Sequence, residues 1–173
     1  MLGSSGAGKS TLARSLAAAI GGTPIELDAI YHQAGWTHPT DDEFRQKVSG
    51  LVGLDSWVID GNYSVVRPLV LAAADTVLWL DYPRRVIMQR VLRRSAIRGV
   101  WRRELWNGNR ESIRNWVDPE HPIRWSWANF DRKRRELEAL FVELSGPEWR
   151  HLEVRRFRRP SECERWLRGA AGR

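Results

Sequence analysis

The chain has 173 residues, 42% of them hydrophobic and 28% charged, which is the make-up of one folded domain and excludes a disordered or collagen-like chain. No apolar run approaches the ~18 residues a membrane span needs, no basic and apolar leader opens the chain, and the single cysteine, Cys163, cannot close an internal disulfide, so a reducing, cytoplasmic setting away from membranes is expected. The net charge of +7 sets 25 Arg and 3 Lys against 21 acidic side chains, and it is unevenly spread: residues 1–83 carry −4, residues 84–135 carry +10 and residues 136–173 carry +1.

In chain order, residues 3–8 form a glycine-rich turn, and a helix is predicted from about residue 10 to 20, stopped by Gly21-Gly22. Residues 23–28 (TPIELD) predict a short strand ending at Asp28. A helix is predicted over 40–54, because Thr40 and Glu43 form a capping box ahead of Phe44, Val48, Leu51 and Val52 at helical spacing. Trp57-Val58-Ile59 reads as a buried strand ending at Asp60, and residues 76–80 (TVLWL) as another ending at Asp81. Pro83 suits the first position of a helix that runs to about Arg98, where Gly99 breaks it. Residues 99–123 have weak periodicity and read as loop or short helices. A long helix over about 125–144, a strand near 151–155 and a short helix capped by Ser161 and Glu164 complete the chain. Strands separated by helices imply an α/β fold, a mainly parallel sheet flanked by helices, in one domain over 1–173.

Gly3-Ser4-Ser5-Gly6-Ala7-Gly8-Lys9-Ser10 matches G-x-x-x-x-G-K-[ST], the P-loop or Walker A pattern, and Thr11 follows it. Glycines let successive N–H groups turn inward into an anion-binding nest, and the helix that follows adds the positive end of its dipole. Lys9 is placed to reach the β- and γ-phosphates of a nucleotide and the Ser10 hydroxyl to bind Mg²⁺. ATP and Mg²⁺ are therefore expected, held by Gly3, Ser4, Gly6, Ala7, Gly8, Lys9, Ser10 and Thr11. Such a loop normally follows a buried strand, yet only Met1 and Leu2 precede Gly3. The first strand is thus expected to be missing, with a native start upstream of Met1.

Ligands of parallel α/β sheets sit beyond the carboxyl ends of the strands, where Asp28, Asp60 and Asp81 fall. Asp28 can accept or bind a substrate hydroxyl proton, and Asp60 can hold Mg²⁺ through water. For each, the plain alternative is a cap on the next helix or turn, and Asp81, just ahead of Pro83, fits that alternative best.

LGSSGAGKSTLA, IELDAIYHQAGW, WVIDGNYSVVRPLV and ADTVLWLDYPRRVIMQRVLRRS resemble the adenylate-kinase-like P-loop proteins known as topology modulation (FlaR-like) proteins. The resemblance runs from residue 2 to about residue 145. It implies the nucleoside monophosphate kinase fold: a parallel core, a small substrate-binding segment over 29–56 and an arginine-rich lid over 94–124. IDGNY resembles the D-G-F-P-R stretch of adenylate kinases, whose Asp lies near Mg²⁺ and corresponds to Asp60. Asn62 and Tyr63 replace the Phe-Pro, and the nearest following arginine is Arg67, so the acceptor site departs from that of true adenylate kinases. Asp28, Trp36, Asp60, Gly61, Asn62, Tyr63 and Arg67 are the expected acceptor-binding residues.

Arg90, Arg94 and Arg98 recur every four residues on one helical face, either as a solvated stripe or as lid donors for a developing phosphoryl charge. Arg94 and Arg98, with Lys9 and Asp28, form the expected catalytic set, and Arg102 and Arg103 are alternatives. Trp57 and Trp79 read as core, Trp36 as a wall for a substrate ring, and Trp101, Trp106, Trp116, Trp125 and Trp127 as lid packing or base stacking. His32 and His38 alone do not make a zinc site. The function expected is phosphoryl transfer from ATP–Mg²⁺ to a nucleotide-like or other small acceptor. The alternatives are a nucleic-acid-associated ATPase or polynucleotide kinase using the basic 84–135 segment, and a nucleotide-binding regulatory module without turnover.

Overall fold

The computed structural model describes residues 1–101, 107 and 122–170. Strands and helices alternate from β1 (Leu2–Gly3), α1 (Lys9–Ile20), β2 (Thr23–Glu26) and α2 (Leu27–Tyr31) to α3 (Asp41–Val52) and β3 (Trp57–Asp60). They continue through α4 (Arg67–Ala73), β4 (Thr76–Leu80), α5 (Arg84–Trp101), α6 (Pro122–Leu144), β5 (Glu153–Phe157) and α7 (Pro160–Ala170). Each strand pairing is parallel: β1-β4-β5 form one ladder and β2-β3 another. The Met1 amine donates to the Ile59 carbonyl at 2.6 Å, which seats the start of β1 beside β3. The first strand, expected to be missing, is present as two residues, with Leu2 opposite Trp79 and Gly3 opposite Leu80.

The strand sequences explain this architecture. In β4, Leu78 and Leu80 face one core with Ala7, Ile87, Val91 and Phe130, while Val77 and Trp79 face another with Leu137, Leu140 and Leu144. A sheet covered on both faces needs an apolar run and not an alternating one, which TVLWL supplies. A third cluster, Ile25, Leu27, Phe44, Val48, Ile59 and Val66, ties α3 and α4 to β2 and β3. The Thr40 capping box is present: Glu43 N–H donates to Thr40 Oγ1 at 3.3 Å and Thr40 N–H to Glu43 Oε2 at 2.8 Å.

Several expectations are corrected. Strand β2 stops at Glu26 and the chain turns into α2, so Asp28 lies in the first turn of a short helix and not at a strand end. Buried Leu27, packed into the third cluster, takes the chain inward there. Helix α5 passes through Gly99 to Trp101; one glycine costs a helix only about 1 kcal/mol, which a continuing helix absorbs. Helix α6 begins earlier than expected, at Pro122, and β5 lies later, at Glu153–Phe157. Helix α4 was not anticipated, although Pro68 in its first turn was the available signal. The carboxylate that accepts from the chain entering α7 is Glu162, bonded by the N–H groups of Arg158 and Arg159 at 2.9 and 3.2 Å, not the Ser161–Glu164 pair.

Asp81 is no helix cap. Its carboxylate is buried and takes Arg134 Nε and Nη2 at 2.8 and 3.0 Å and Arg156 Nε and Nη2 at 3.0 and 2.7 Å. The Arg156 guanidinium also lies 4.1 Å from the centre of the Trp79 ring. One carboxylate therefore binds α6 and β5 to the end of β4. No helix among the described residues is long and apolar enough to cross a membrane.

Candidate functional site

The carboxyl ends of β1 and β3 bring the glycine-rich loop and the Asp60 turn to one edge. Between β1 and α1 the loop folds back on itself, with Ala7 N–H on the Ser4 carbonyl at 3.1 Å. Gly6 has φ +86°, and a Cβ there would lie 2.5 Å from Val91 Cγ2, so both backbone and space require glycine. The first N–H groups of α1 have no intrahelical partner and open toward this edge, a ready anion site.

Two side chains of α1 converge on Asp60. Ser10 Oγ donates to Asp60 Oδ2 at 2.5 Å, and Lys9 Nζ lies 3.9 Å from Oδ1 while donating to the Ser4 carbonyl at 3.4 Å. Asp60 is buried, and its Oδ1 accepts no hydrogen bond. Helix α5 holds the loop from its other side. Arg90 Nη1 donates to the Ala7 carbonyl at 2.6 Å and Arg94 Nη2 to Ser5 Oγ at 3.2 Å.

A cavity of about 1260 Å³ joins these groups. Of the expected residues, Gly3, Ser4, Gly6, Ala7, Gly8, Lys9, Ser10, Thr11, Asp28, Asp60, Gly61, Asn62, Tyr63 and Arg94 line it. Arg67 does not; its Nε donates to Asn62 Oδ1 at 3.0 Å and it faces a separate cavity of about 410 Å³. Trp36 is also absent from the wall, 45% exposed, with its ring edge-on to His32 at 5.5 Å. The Arg98 side chain, Arg102, Arg103, Trp106, Trp116 and the side chains of Trp101 and Trp125 lie outside the described residues. Trp127 is 56% exposed and carries Arg84 over its ring at 4.9 Å.

Also on the cavity wall, Tyr63 donates its hydroxyl to Asp28 Oδ1 at 2.6 Å. Burial, and then the Asp28 charge and hydrogen bond, push the Tyr63 phenol well above its usual value, so it stays protonated and a donor. The His32 imidazole is held below its usual value, chiefly by burial and also by His38, against an opposing pull from Asp28. Tyr31 stacks on His38 at 4.5 Å and packs against Tyr63 at 4.6 Å and Phe44 at 5.3 Å. Asn107 reaches the same segment, its amide donating to the carbonyls of Ala29 at 3.0 Å and His32 at 2.7 Å.

Other lining residues were not anticipated. Ser126, Asn129, Phe130, Lys133 and Leu137 face the cavity from α6 at helical spacing, a periodicity readable only once the cavity is known. Cys163, Glu164 and Leu167 approach from α7 with no sequence signal at all. Burial pushes the Cys163 thiol up, which suits packing and not reactivity.

The arrangement can hold a chain of phosphates on the loop and bring a second molecule to Asp28. No family model matches the chain, and no curated protein matches it.

Proposed function

We propose that the protein is an ATP- and Mg²⁺-dependent phosphotransferase acting on a small-molecule acceptor, built on a P-loop of the nucleoside monophosphate kinase type. What carries this reading is the Lys9–Ser10–Asp60 group: a lysine and a hydroxyl from the first turn of α1 meet a buried carboxylate on β3 at the mouth of a glycine-rich loop. Phosphoryl transfer asks the protein mainly for positioning and cationic stabilisation, and these residues supply both.

The residues fit Mg²⁺. Asp60 keeps a buried oxygen without a hydrogen bond next to the Ser10 hydroxyl. Mg²⁺ in nucleotide sites is held by one or two protein groups plus substrate phosphates and water, so no larger cluster of ligands is required. Ser10 and Asp60 would hold it, and when bound it neutralises charge on the β- and γ-phosphate oxygens. Lys9 binds the same phosphates, and Arg90 and Arg94 set the outer face of the loop. The acceptor enters at the Asp28–Tyr63 end.

A polynucleotide role would draw on the 84–135 segment. Four of its described cations are committed to acids of the same chain: Arg84 pairs with Asp131, Arg132 and Lys133 with Glu136, and Arg134 with Asp81. That arrangement favours the small-molecule acceptor. Nucleotide binding without turnover of any acceptor would instead favour a regulatory module.

The test is binding and turnover of Mg–ATP by the purified chain and by Lys9→Ala. The expected result is loss of turnover by at least about 100-fold in the variant, the size typical of removing one preorganised cationic or donor group. Full activity in the variant would refute the proposal.

A further inference from the structure

The charged residues lining the large cavity include both signs. Lys9, Arg90, Arg93 and Arg94 line the loop end. On the Asp28 side the wall presents the Asp28 carboxylate, the protonated Tyr63 hydroxyl, the Asn62 amide and His32, whose protonation is disfavoured by burial. Arg67, four positions past Tyr63, is turned onto Asn62 and lines a different cavity. A phosphate monoester placed against Asp28 would meet a like charge in a partly buried site, whereas a hydroxyl would meet an acceptor.

Resting on the phosphotransferase reading above, we propose that the acceptor is an alcohol with no negative charge near its hydroxyl, that Asp28 receives the hydroxyl proton, and that Tyr63 holds the Asp28 carboxylate in place. A carboxylate with one oxygen bonded by a fixed phenol presents its second oxygen in a set direction, which a general base requires. In the transfer, the acceptor oxygen forms a bond to the γ-phosphorus and the bond from that phosphorus to the bridging oxygen breaks. Its electron pair leaves with ADP, and the hydroxyl proton passes to Asp28 and then to water. Tyr63 lines the cavity beside Asp28, and Tyr31 and Phe44 pack against its ring.

The experiment compares matched acceptors with the full chain and Mg–ATP: adenosine against AMP, cytidine against CMP, and glycerol against glycerol phosphate. Product monoester is measured, and a non-hydrolysable ATP analogue reports nucleotide binding separately. At least one uncharged member should be phosphorylated with a kcat/KM about 100-fold above its monophosphate partner, and Asp28→Asn should lower kcat for it by about 100-fold or more while analogue affinity holds. Tyr63→Phe, a positioning change, should lower kcat about tenfold with the KM for ATP and the melting temperature unchanged. Preference for the monophosphates, no transfer to any uncharged member by a chain that binds the analogue, or full kcat in Asp28→Asn would overturn the assignment. Failure of the unmodified chain to bind the analogue would sink the phosphotransferase reading itself, and this inference with it.

Discussion

Lys9 and Ser10 are adjacent in the sequence, but the group they act with lies fifty residues away, on β3. The motif alone placed both side chains at the mouth of the loop, since its spacing dictates where each one points. It does not state which carboxylate answers them; that depends on β3 ending beside β1. Asp60→Asn keeps the shape of the side chain but removes its charge and replaces one acceptor oxygen with an NH2 donor. The half-saturating Mg²⁺ concentration should rise by about 10–100-fold, read from turnover or from Mg²⁺-dependent nucleotide binding. An unchanged Mg²⁺ requirement would remove Asp60 from the metal site. Gly6 is a case where conformation and space agree: φ +86° and the Val91 methyl 2.5 Å from any Cβ. Gly6→Ala should cost roughly 2–4 kcal/mol, combining left-handed strain with overpacking, measured by urea unfolding, and should abolish nucleotide-dependent stabilisation.

Among the elements, Asp81 shows how a buried charge can fasten a fold. Burial alone pushes its carboxyl up, but the hydrogen bonds and charges of Arg134 and Arg156 outweigh that and hold it below the ordinary 3.8. A depressed folded value means that the contribution is present above the unfolded value and is lost as pH falls through the folded one. Thermal stability should therefore drop on acidification below about pH 4, and Asp81→Asn should lower stability by about 3 kcal/mol at neutral pH and flatten that acid limb. An acid limb that persists unchanged in the variant would show that other carboxylates carry it. Thr40→Ala, far from the cavity, should cost about 1 kcal/mol in stability and leave nucleotide binding alone, as expected for a lost helix cap.

These two residues also mark what could be read beforehand. The capping box is local, so Thr40 and Glu43 announce α3 from sequence. The run TVLWL likewise announces β4, because burial on both faces demands it. Asp81 next to Pro83 has the local look of a cap, and only the long-range approach of Arg134 and Arg156 gives it another role. Asp28 was misplaced for the same reason: the turn after Glu26 is set by Leu27 packing into a core formed by α3 and β3. Tyr63 was expected near the acceptor, but its hydrogen bond to Asp28 spans thirty-five residues and left no local trace.

For the molecule as a whole, the +7 charge divides into an acidic first half and a +10 segment. Arg90 and Arg94 of that segment close on the loop, while Arg84, Arg132, Lys133 and Arg134 bind acidic side chains of the same chain. These described cations are thus engaged within the chain itself. A ligand that binds only the folded state stabilises it by about 2.7 kcal/mol at 100 times its Kd, about 5–10 °C for a domain of this size. The most direct measurement is the thermal unfolding midpoint with and without saturating Mg–ATP, for the unmodified chain and for Lys9→Ala. The account predicts a rise of about 5–10 °C in the first and little or none in the second. No rise in the unmodified chain, or an equal rise in both, would contradict it.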